Sequence, residues 1–218
     1  MFSKQLADRQ PDWPRGTVIT GFPFHERDSE CGLPPALARF LDAGPPPLVF
    51  TLGYSSATVA GPFYERSANV ARRLGRRAVL ILKDPRNRPA SLPEGVVAFD
   101  YAPFAKLFPR AAVVVHHGGI GTTGLAMQAG RPMLIVPSAH DQPDNAERLT
   151  RLGIARTIPH ARYAPARVLT ELRRLLDDPA YSERASQVGR QIRQEDGVRF
   201  SCDALDELLQ SGRSSGAS

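Results

Sequence analysis

The chain has 218 residues, which suffices for one large α/β domain with a substantial core but not for two full domains. Hydrophobic residues make up 42% of it and charged residues 23%, as in ordinary globular proteins, and its apolar runs are far shorter than the roughly 20 residues of a membrane helix. We therefore expect a soluble protein without a membrane span.

The formal net charge of +6 raises the question of a nucleic-acid partner. Most of the positive charge is arginine, and two groups of arginines lie on predicted helices: Arg72, Arg73, Arg76 and Arg77, and then Arg173 and Arg174. Acidic residues lie nearby, and no aromatic residues interleave with these groups as a single-strand groove requires. Solvated helix faces are the better interpretation, and we expect no nucleic-acid partner.

The first residues, Met1 to Trp13, are polar and lack the apolar core of a secretory signal. The two cysteines, Cys31 and Cys202, lie far apart and outside any metal-binding spacing, which is typical of free thiols in a reducing compartment. A cytoplasmic location is therefore expected.

Residues 1–46 are rich in proline and predict a linker with an edge element rather than an independent domain. Within this segment the pattern indicates one short strand, Thr17 to Thr20, and one short helix, Pro35 to Leu41. The Ser- and Gly-rich segment 211–218 predicts a disordered tail.

Residues 47–210 alternate short apolar runs with helical stretches, which predicts βαβ units. The runs are nearly continuously apolar, as expected for parallel strands covered on both faces. The predicted strands are Leu48–Leu52, Ala78–Leu82, Val96–Phe99, Ala112–His116 and Met133–Val136. The fold class is therefore α/β: a single Rossmann-like domain with a parallel sheet flanked by helices.

Four helices are predicted in the second half of the chain. Asp141 is placed to cap a helix that ends at Gly153, and the stripe of apolar residues from Pro165 to Leu176 indicates an amphipathic helix. Two more helical stretches follow at about Pro179–Gln194 and Phe200–Gln210.

The most informative stretch runs from Ala112 to Gly130, where a buried strand leads into Gly118, Gly119 and Gly121. Glycine at such a turn lets the backbone approach a ligand closely. The helix that follows, opened by Thr122 and Thr123, presents unpaired N–H groups and the positive end of its dipole. Together these features predict an anion site, most commonly one for phosphate.

Two other interpretations of the turn stay open. Gly119 to Gly124 also satisfies G-x-G-x-x-G, and Asp141 follows about twenty residues later, as in an NAD site. Two preceding histidines, a short helix and the late position of the strand weigh against NAD. The glycines could also serve packing alone.

His116 and His117 follow each other at the end of the predicted strand, so their side chains point to opposite sides and one can face the crevice. We favour His116 as a hydrogen-bond donor to phosphate. A metal site built with His140 and Asp141 matches no zinc spacing, and no metal is expected.

At this point the sequence resembles the glycosyltransferase family 1 enzymes of the GT-B fold, in particular bacterial antibiotic, macrolide and sterol-type glucosyltransferases. The resemblance covers roughly residues 11 to 210. Its motifs are Pro11-Asp12-Trp13-Pro14, Phe50 to Ser56, Tyr101-Ala102-Pro103, His116 to Thr123, Ala129 to Pro132 and His140 to Pro143. It implies that the chain is the C-terminal, nucleotide-sugar-binding half of such an enzyme.

The resemblance also implies roles for individual residues. The diphosphate would be held by His116, Gly119, Gly121, Thr122, Thr123 and, from the opposite loop, Ser55. Asp141 and Gln142 would bind hydroxyls of the sugar, and Tyr101 would stack on the pyrimidine. Donors aimed at the charge that develops on the leaving diphosphate would lower the barrier without covalent participation.

The resemblance further implies an inverting transfer of a hexose from a UDP-sugar or TDP-sugar to a hydroxyl of a small lipophilic acceptor, with no cofactor and no metal. Phe104 and Gly124 depart from the residues of plant members that read base and ribose, so the base is open. The family's general base, a histidine, belongs to the N-terminal half, so no catalytic residue is assigned in this chain.

Three interpretations follow for the whole protein. The chain is a fragment or one subunit of a split enzyme whose acceptor-binding half is a separate chain; or it is a non-catalytic module that binds nucleotide sugars or self-associates; or, less favoured, an NAD-binding oxidoreductase domain.

Overall fold

The computed structural model describes residues 2–24, 32–53 and 60–215, with side chains as far as residue 210. Within these ranges six parallel strands form one sheet in the order β3-β2-β1-β4-β5-β6. The strands are β1 Leu48–Thr51, β2 Ala78–Ile81, β3 Val96–Phe99, β4 Val113–His116, β5 Met133–Ile135 and β6 Ala155–Thr157. The predicted α/β class and its five predicted strands are confirmed; β6 was not predicted, because three residues of mixed polarity carry no strand pattern.

Helices connect the strands and cover both faces of the sheet. They are α1 Pro35–Asp42, α2 Phe63–Arg73, α3 Phe104–Leu107, α4 Ile120–Ala129, α5 Gln142–Arg151, α6 Pro165–Asp177, α7 Pro179–Ile192 and α8 Gly197–Ser215. α1 and α6 agree closely with the stretches predicted for them. α8 begins three residues earlier than predicted, and it continues to Ser215, within the segment 211–218 predicted as a tail.

The strands bury alternate residues in two separate cores, because neighbouring strand side chains point to opposite faces. Val49 and Val114 belong to the core under α1, α4, α5 and α7. Phe50 and Val115 belong to the core under α2 and α6. The domain is therefore a three-layer α/β/α stack whose central strands are buried on both sides.

The strand order creates a crevice between β1 and β4. From β1 the chain continues to β2 on one side, whereas β4 is followed by β5 on the other, so the connections diverge at this point. Open α/β sheets bind ligands where the connections diverge, outside the carboxyl ends of the strands. The turn at Gly118 and Gly119 follows β4 and therefore lies at this crevice.

The N-terminal segment differs from the prediction in its local structure. Residues 17–20 form no strand, although the apolar and β-branched residues there suggested one. The segment is nevertheless packed on the domain, since Leu6, Phe22, Leu37 and Leu41 contribute to the core that includes α4 and α7. Burial of these apolar side chains attaches the proline-rich segment to the domain.

Other expectations from the sequence concern thiols, membranes and metals. Cys202 is an exposed free thiol, and Cys31 lies outside the described residues. In the described part of the chain, no helix is both long and apolar enough to cross a membrane. The same residues contain no cluster of three histidine, cysteine or acidic side chains suited to a metal ion.

His116, the last residue of β4, is fully enclosed, with 0% of its surface exposed. Its Nδ1 accepts a hydrogen bond from the N–H of Gly118 at 3.1 Å, whereas its Nε2 has no partner among the described residues. Burial, and to a smaller extent the neighbouring His117, lowers the pKa of His116 from 6.5 to about 3. The folded protein therefore holds a neutral imidazole at the end of its central strand.

This burial predicts a loss of stability in mild acid. Below pH 6.5 the unfolded chain takes up a proton at His116, and the folded chain does so only near pH 3, so stability falls as the pH drops through this window. His116→Asn keeps an acceptor for Gly118 but cannot titrate. The free energy of unfolding is measured in urea between pH 4 and 6. We expect it to fall more steeply in the wild type than in the variant, and the two slopes to differ by about 1 kcal/mol per pH unit. His140→Asn, at an exposed histidine, is the control; equal slopes for His116→Asn and the wild type would contradict the assignment.

Candidate functional site

The turn after β4 is held tightly against the start of α5. Gly118 has a φ of +92°, and a Cβ there would lie 2.8 Å from a methyl carbon of Ile135 and 3.2 Å from the carbonyl oxygen of Gln142. Only glycine fits this combination of backbone angle and close approach. The turn is therefore pinned in place by β5 and by the first residue of α5.

The helix after the turn begins with unpaired amides. Gly119 occupies the N-cap position of α4, and no side chain caps this helix end. Within α4 the N–H of Thr123 donates to the carbonyl of Gly119 at 3.0 Å, so the N–H groups of Ile120, Gly121 and Thr122 precede the first intrahelical bond. Uncapped amides at the positive end of a helix dipole are suited to bind an anion.

His117 is the histidine that lies between the segments that follow β1 and β4. A Cβ on Gly53 would come within 2.5 Å of His117 Cε1, and one on Gly119 within 2.4 Å of His117 Nε2. The imidazole is therefore in contact with the end of β1 and with the start of α4. The sequence favoured His116 as the donor to phosphate. In the structure His116 is 0% and His117 5% exposed, and His117 is the ring that lies beside Gly53 and Gly119.

The His117 ring is neutral at neutral pH. Burial is the main cause that lowers its pKa, and the nearby Asp141 carboxylate opposes this in part. Only 5% of the residue is exposed, and its Nδ1 has no hydrogen-bond partner among the described residues. A neutral imidazole carries one N–H, so it can donate one hydrogen bond to a phosphate oxygen.

The two threonines of α4 have different surroundings. Thr122 is half-buried, and Gly121 beside it is exposed with open space where a Cβ would be. Thr123 is enclosed, and its hydroxyl has no partner among the described residues. Of the predicted diphosphate residues, Gly119, Gly121 and Thr122 are thus accessible, Thr123 and His116 are not, and Ser55 lies outside the described residues.

Asp141 and Gln142, the predicted sugar residues, lie side by side at the N-terminus of α5. Asp141 is exposed; it occupies the predicted cap position, but its side chain does not cap the helix. Gln142 is buried, and its Oε1 accepts hydrogen bonds from the backbone N–H of Ser138 at 2.9 Å and of Ala139 at 3.2 Å. Gln142 therefore fixes the loop before α5, and Asp141 is the accessible member of the pair.

Asn145 is a site residue that sequence reasoning missed. Its Nδ2 donates to the carbonyl oxygen of Gly118 at 2.9 Å and to Oδ2 of Asp141 at 2.8 Å. The only sequence signal was its spacing, since residues four apart on a helix share one face and Asn145 follows Asp141 by four.

A cavity opens at the carboxyl ends of β1, β2 and β3. Its lining includes Tyr101, which is 43% exposed, together with Gly53 and Phe104. Phe104 stacks on Phe108 with ring centroids 4.5 Å apart, so it forms a fixed apolar wall. Gly53 lines this cavity and also lies against His117. The cavity that contains Tyr101 is therefore adjacent to the turn after β4.

A second cavity lies on the other side of the turn. Apolar side chains of the N-terminal segment, including Leu6 and Trp13, face Ile120 of α4 across it. Asp141 and Asn145 also line this cavity. The uncapped start of α4 therefore stands between a cavity with an exposed aromatic ring and a cavity with an exposed carboxylate.

Comparisons with known proteins agree with this geometry. The chain is 34% identical over 210 residues to O-mycaminosyltylonolide 6-deoxyallosyltransferase of Streptomyces fradiae, covering 96% of this chain and 49% of that protein. It is 29% identical over 224 residues to a sterol 3-beta-glucosyltransferase of Arabidopsis thaliana, covering 98% of this chain and 34% of the relative. The crystal structure of the kitacinnamycin glycotransferase superposes with a TM-score of 0.73 at 29% identity, over 86% of this chain and 48% of that one.

The chain thus spans half or less of the length of these relatives. The family model described as "Erythromycin biosynthesis protein CIII-like, C-terminal domain" matches residues 72–196, more than half of the chain. The similarity to the C-terminal half of GT-B glycosyltransferases is thereby confirmed, and the protein belongs to the erythromycin biosynthesis protein CIII-like C-terminal domain family.

Proposed function

We propose that this chain is the donor-binding half of an inverting glycosyltransferase, and that it holds a UDP-sugar or TDP-sugar at the start of α4. The observation that carries the proposal is the uncapped helix N-terminus at the crevice, with one cavity on either side of it. A nucleoside diphosphate sugar has the matching order of parts: a flat base, two phosphates and a polar ring.

The diphosphate would lie against the N–H groups of Ile120, Gly121 and Thr122, with the Thr122 hydroxyl and the His117 ring as further donors. Thr123 and His116 would support this cradle from within the domain, and Gly119 would leave room for the phosphates. Ser55 would complete it from the loop after β1. Backbone dipoles and a neutral imidazole stabilise the developing charge of the leaving diphosphate without a metal ion.

The base would occupy the cavity beside Gly53, stacked on the exposed ring of Tyr101. The apolar wall formed by Phe104 suits the other face of a pyrimidine. Uracil and thymine differ by one methyl group, and both fit a slot of this kind, so UDP and TDP are the two donors to be compared.

The sugar would lie beside Asp141, which offers two acceptor oxygens to vicinal hydroxyls. Ile120, Leu6 and Trp13 supply an apolar surface on the opposite side of the same cavity, suited to the C–H groups of a pyranose ring. Gln142 would contribute through its NH₂ group, because its oxygen is engaged by the loop.

The acceptor and the general base would belong to the other half of the enzyme, since the relatives are two to three times as long as this chain. The relatives named for a macrolide-type and a sterol substrate favour a small lipophilic acceptor. The exposed free thiol of Cys202 favours a cytoplasmic site for the reaction.

Calorimetric titration tests nucleotide binding directly. We expect UDP or TDP to bind, and His117→Ala to weaken that binding by roughly 1.5–3 kcal/mol, the scale of a hydrogen bond to a charged group. His116→Asn is the matched control, because it keeps the bond to Gly118 while removing the other ring. Absence of binding at millimolar UDP and TDP, or tight binding of NADH instead, would refute the proposal; a greater loss in His116→Asn than in His117→Ala would restore the interpretation made from the sequence.

The surface of α8 supplies the place where the other half would pack. Of the large apolar side chains exposed in the described residues, most lie on this helix: Val198, Phe200, Leu205, Leu208 and Leu209. Isolated exposed apolar residues are ordinary, but several on one helix indicate an association surface. We infer that the acceptor-binding half covers α8, and that copies of the chain cover it when that half is absent.

Light scattering on the isolated chain tests this surface. We expect concentration-dependent self-association, and we expect Leu205→Glu with Leu209→Glu to lower the average mass toward that of a monomer because charge opposes apolar contact. Asp203→Asn, on the same exposed helix, serves as the control. A wild-type chain that is monomeric at several hundred micromolar would contradict the inference.

A further inference from the structure

Asn145 connects the turn after β4 to the carboxylate of Asp141, which are the proposed diphosphate and sugar contacts. The residue lies in the second turn of α5 and is buried, with 5% of its surface exposed. One primary amide donates both to the turn after β4, at the Gly118 carbonyl, and to the exposed carboxylate of Asp141. An amide NH₂ group has two hydrogens in a fixed plane, so it holds two acceptors in a defined relation to each other.

The bond to Gly118 sets the direction of an amide at the anion site. The peptide between Gly118 and Gly119 is trans, so its carbonyl and its N–H point in opposite directions. Because the carbonyl points toward Asn145, the N–H of Gly119 points away from α5. Gly118 has a φ of +92°, and glycine can adopt several other backbone angles, so the bond from Asn145 adds to the contacts that hold this peptide in one orientation.

The bond to Asp141 limits that carboxylate in a similar way. Asp141 is exposed, and in solution a side chain at the end of a helix samples several rotamers. The Asn145 amide engages Oδ2, which leaves Oδ1 and the second lone pair of Oδ2 for hydroxyl groups. The backbone N–H of Asn145 also donates to the carbonyl of Asp141 at 3.0 Å, so both residues are fixed to the same helical turn.

We propose that Asn145 is a positioning residue that couples the diphosphate-binding turn to the sugar-binding carboxylate, so that both are set for one nucleotide sugar. This inference rests on the proposed function for its ligand, but the coupling itself is a property of the free protein. In this proposal Asn145 acts through Gly118 and Asp141, the two acceptors that its amide holds.

Hydrogen exchange on the ligand-free protein tests the positioning independently of any ligand. Asn145→Leu keeps the size of the side chain and removes both donors, and Thr150→Ala is the control on the opposite side of α5, where the Thr150 hydroxyl donates to the Ala146 carbonyl. We expect the hydrogen-bonded amides of the turn, that of Gly118 on His116 and that of Thr123 on Gly119, to exchange about tenfold faster in Asn145→Leu and at the wild-type rate in Thr150→Ala. Unchanged exchange in folded Asn145→Leu would overturn the proposal. If that variant does not fold, Asn145→Ala, which also removes both donors, takes its place with the same expectation.

A double-mutant cycle tests the coupling to the ligand. Dissociation constants for UDP and UDP-glucose are measured by calorimetry in the wild type, Asp141→Asn, Asn145→Leu and the double variant. We expect Asn145→Leu to bind UDP about tenfold more weakly, and Asp141→Asn to bind UDP as the wild type does. The extra affinity due to the sugar should disappear in either single variant and fall no further in the double variant.

The possible outcomes separate the two claims. Losses of sugar affinity that add in the double variant, or an Asn145→Leu protein that binds UDP normally, would overturn the coupling while the proposed function stands. A wild-type protein that binds neither nucleotide would overturn the proposed function, and the exchange experiment would still decide whether Asn145 positions the turn.

Discussion

The structure depends on one constraint above all: the first turn of α4 must present its amides at the crevice without a side chain to cap them. Helix ends ordinarily find a serine, threonine or aspartate to satisfy these groups. Here Gly119 stands at the cap position, and Gly118 before it takes a backbone angle that brings the turn against Ile135 and α5. The helix therefore lacks the stabilisation of a side-chain cap, and a bound anion could accept hydrogen bonds from the same amides.

The sheet explains why this helix end lies beside two cavities. β1 and β4 are neighbours whose connections diverge, so the segments after them open away from each other and leave a crevice. Gly53 after β1 and Gly119 after β4 both lack a Cβ where His117 lies, which lets one imidazole contact both segments. Tyr101 lies after β3 and Asp141 after β5, so each cavity receives its functional side chain from the adjoining strand.

The fold and the glycine turn at the crevice could be predicted from the sequence, whereas the surroundings of each histidine could not. Continuous apolar runs identified the strands, and the glycines after His117 identified the turn, because both signals are local. The surroundings of each histidine depend on how the end of β4 packs against Gly53, and the local sequence does not report such a tertiary contact. Asn145 is joined to Gly118 across 27 positions of sequence, and no local pattern reports such a contact. β6 was missed because pairing with β5, not its own composition, makes it a strand.

The chain spans half or less of the length of its relatives, and in its described part most of the large exposed apolar side chains lie on α8. The central claim is that the amides at the start of α4 bind a diphosphate. Amide chemical shifts measured by NMR during titration with UDP test it most directly. The account predicts the largest shifts at residues 119–122, with inorganic pyrophosphate reproducing these and sparing the amides around Tyr101. Shifts confined to other parts of the domain, with residues 119–122 unmoved at saturating UDP, would contradict it.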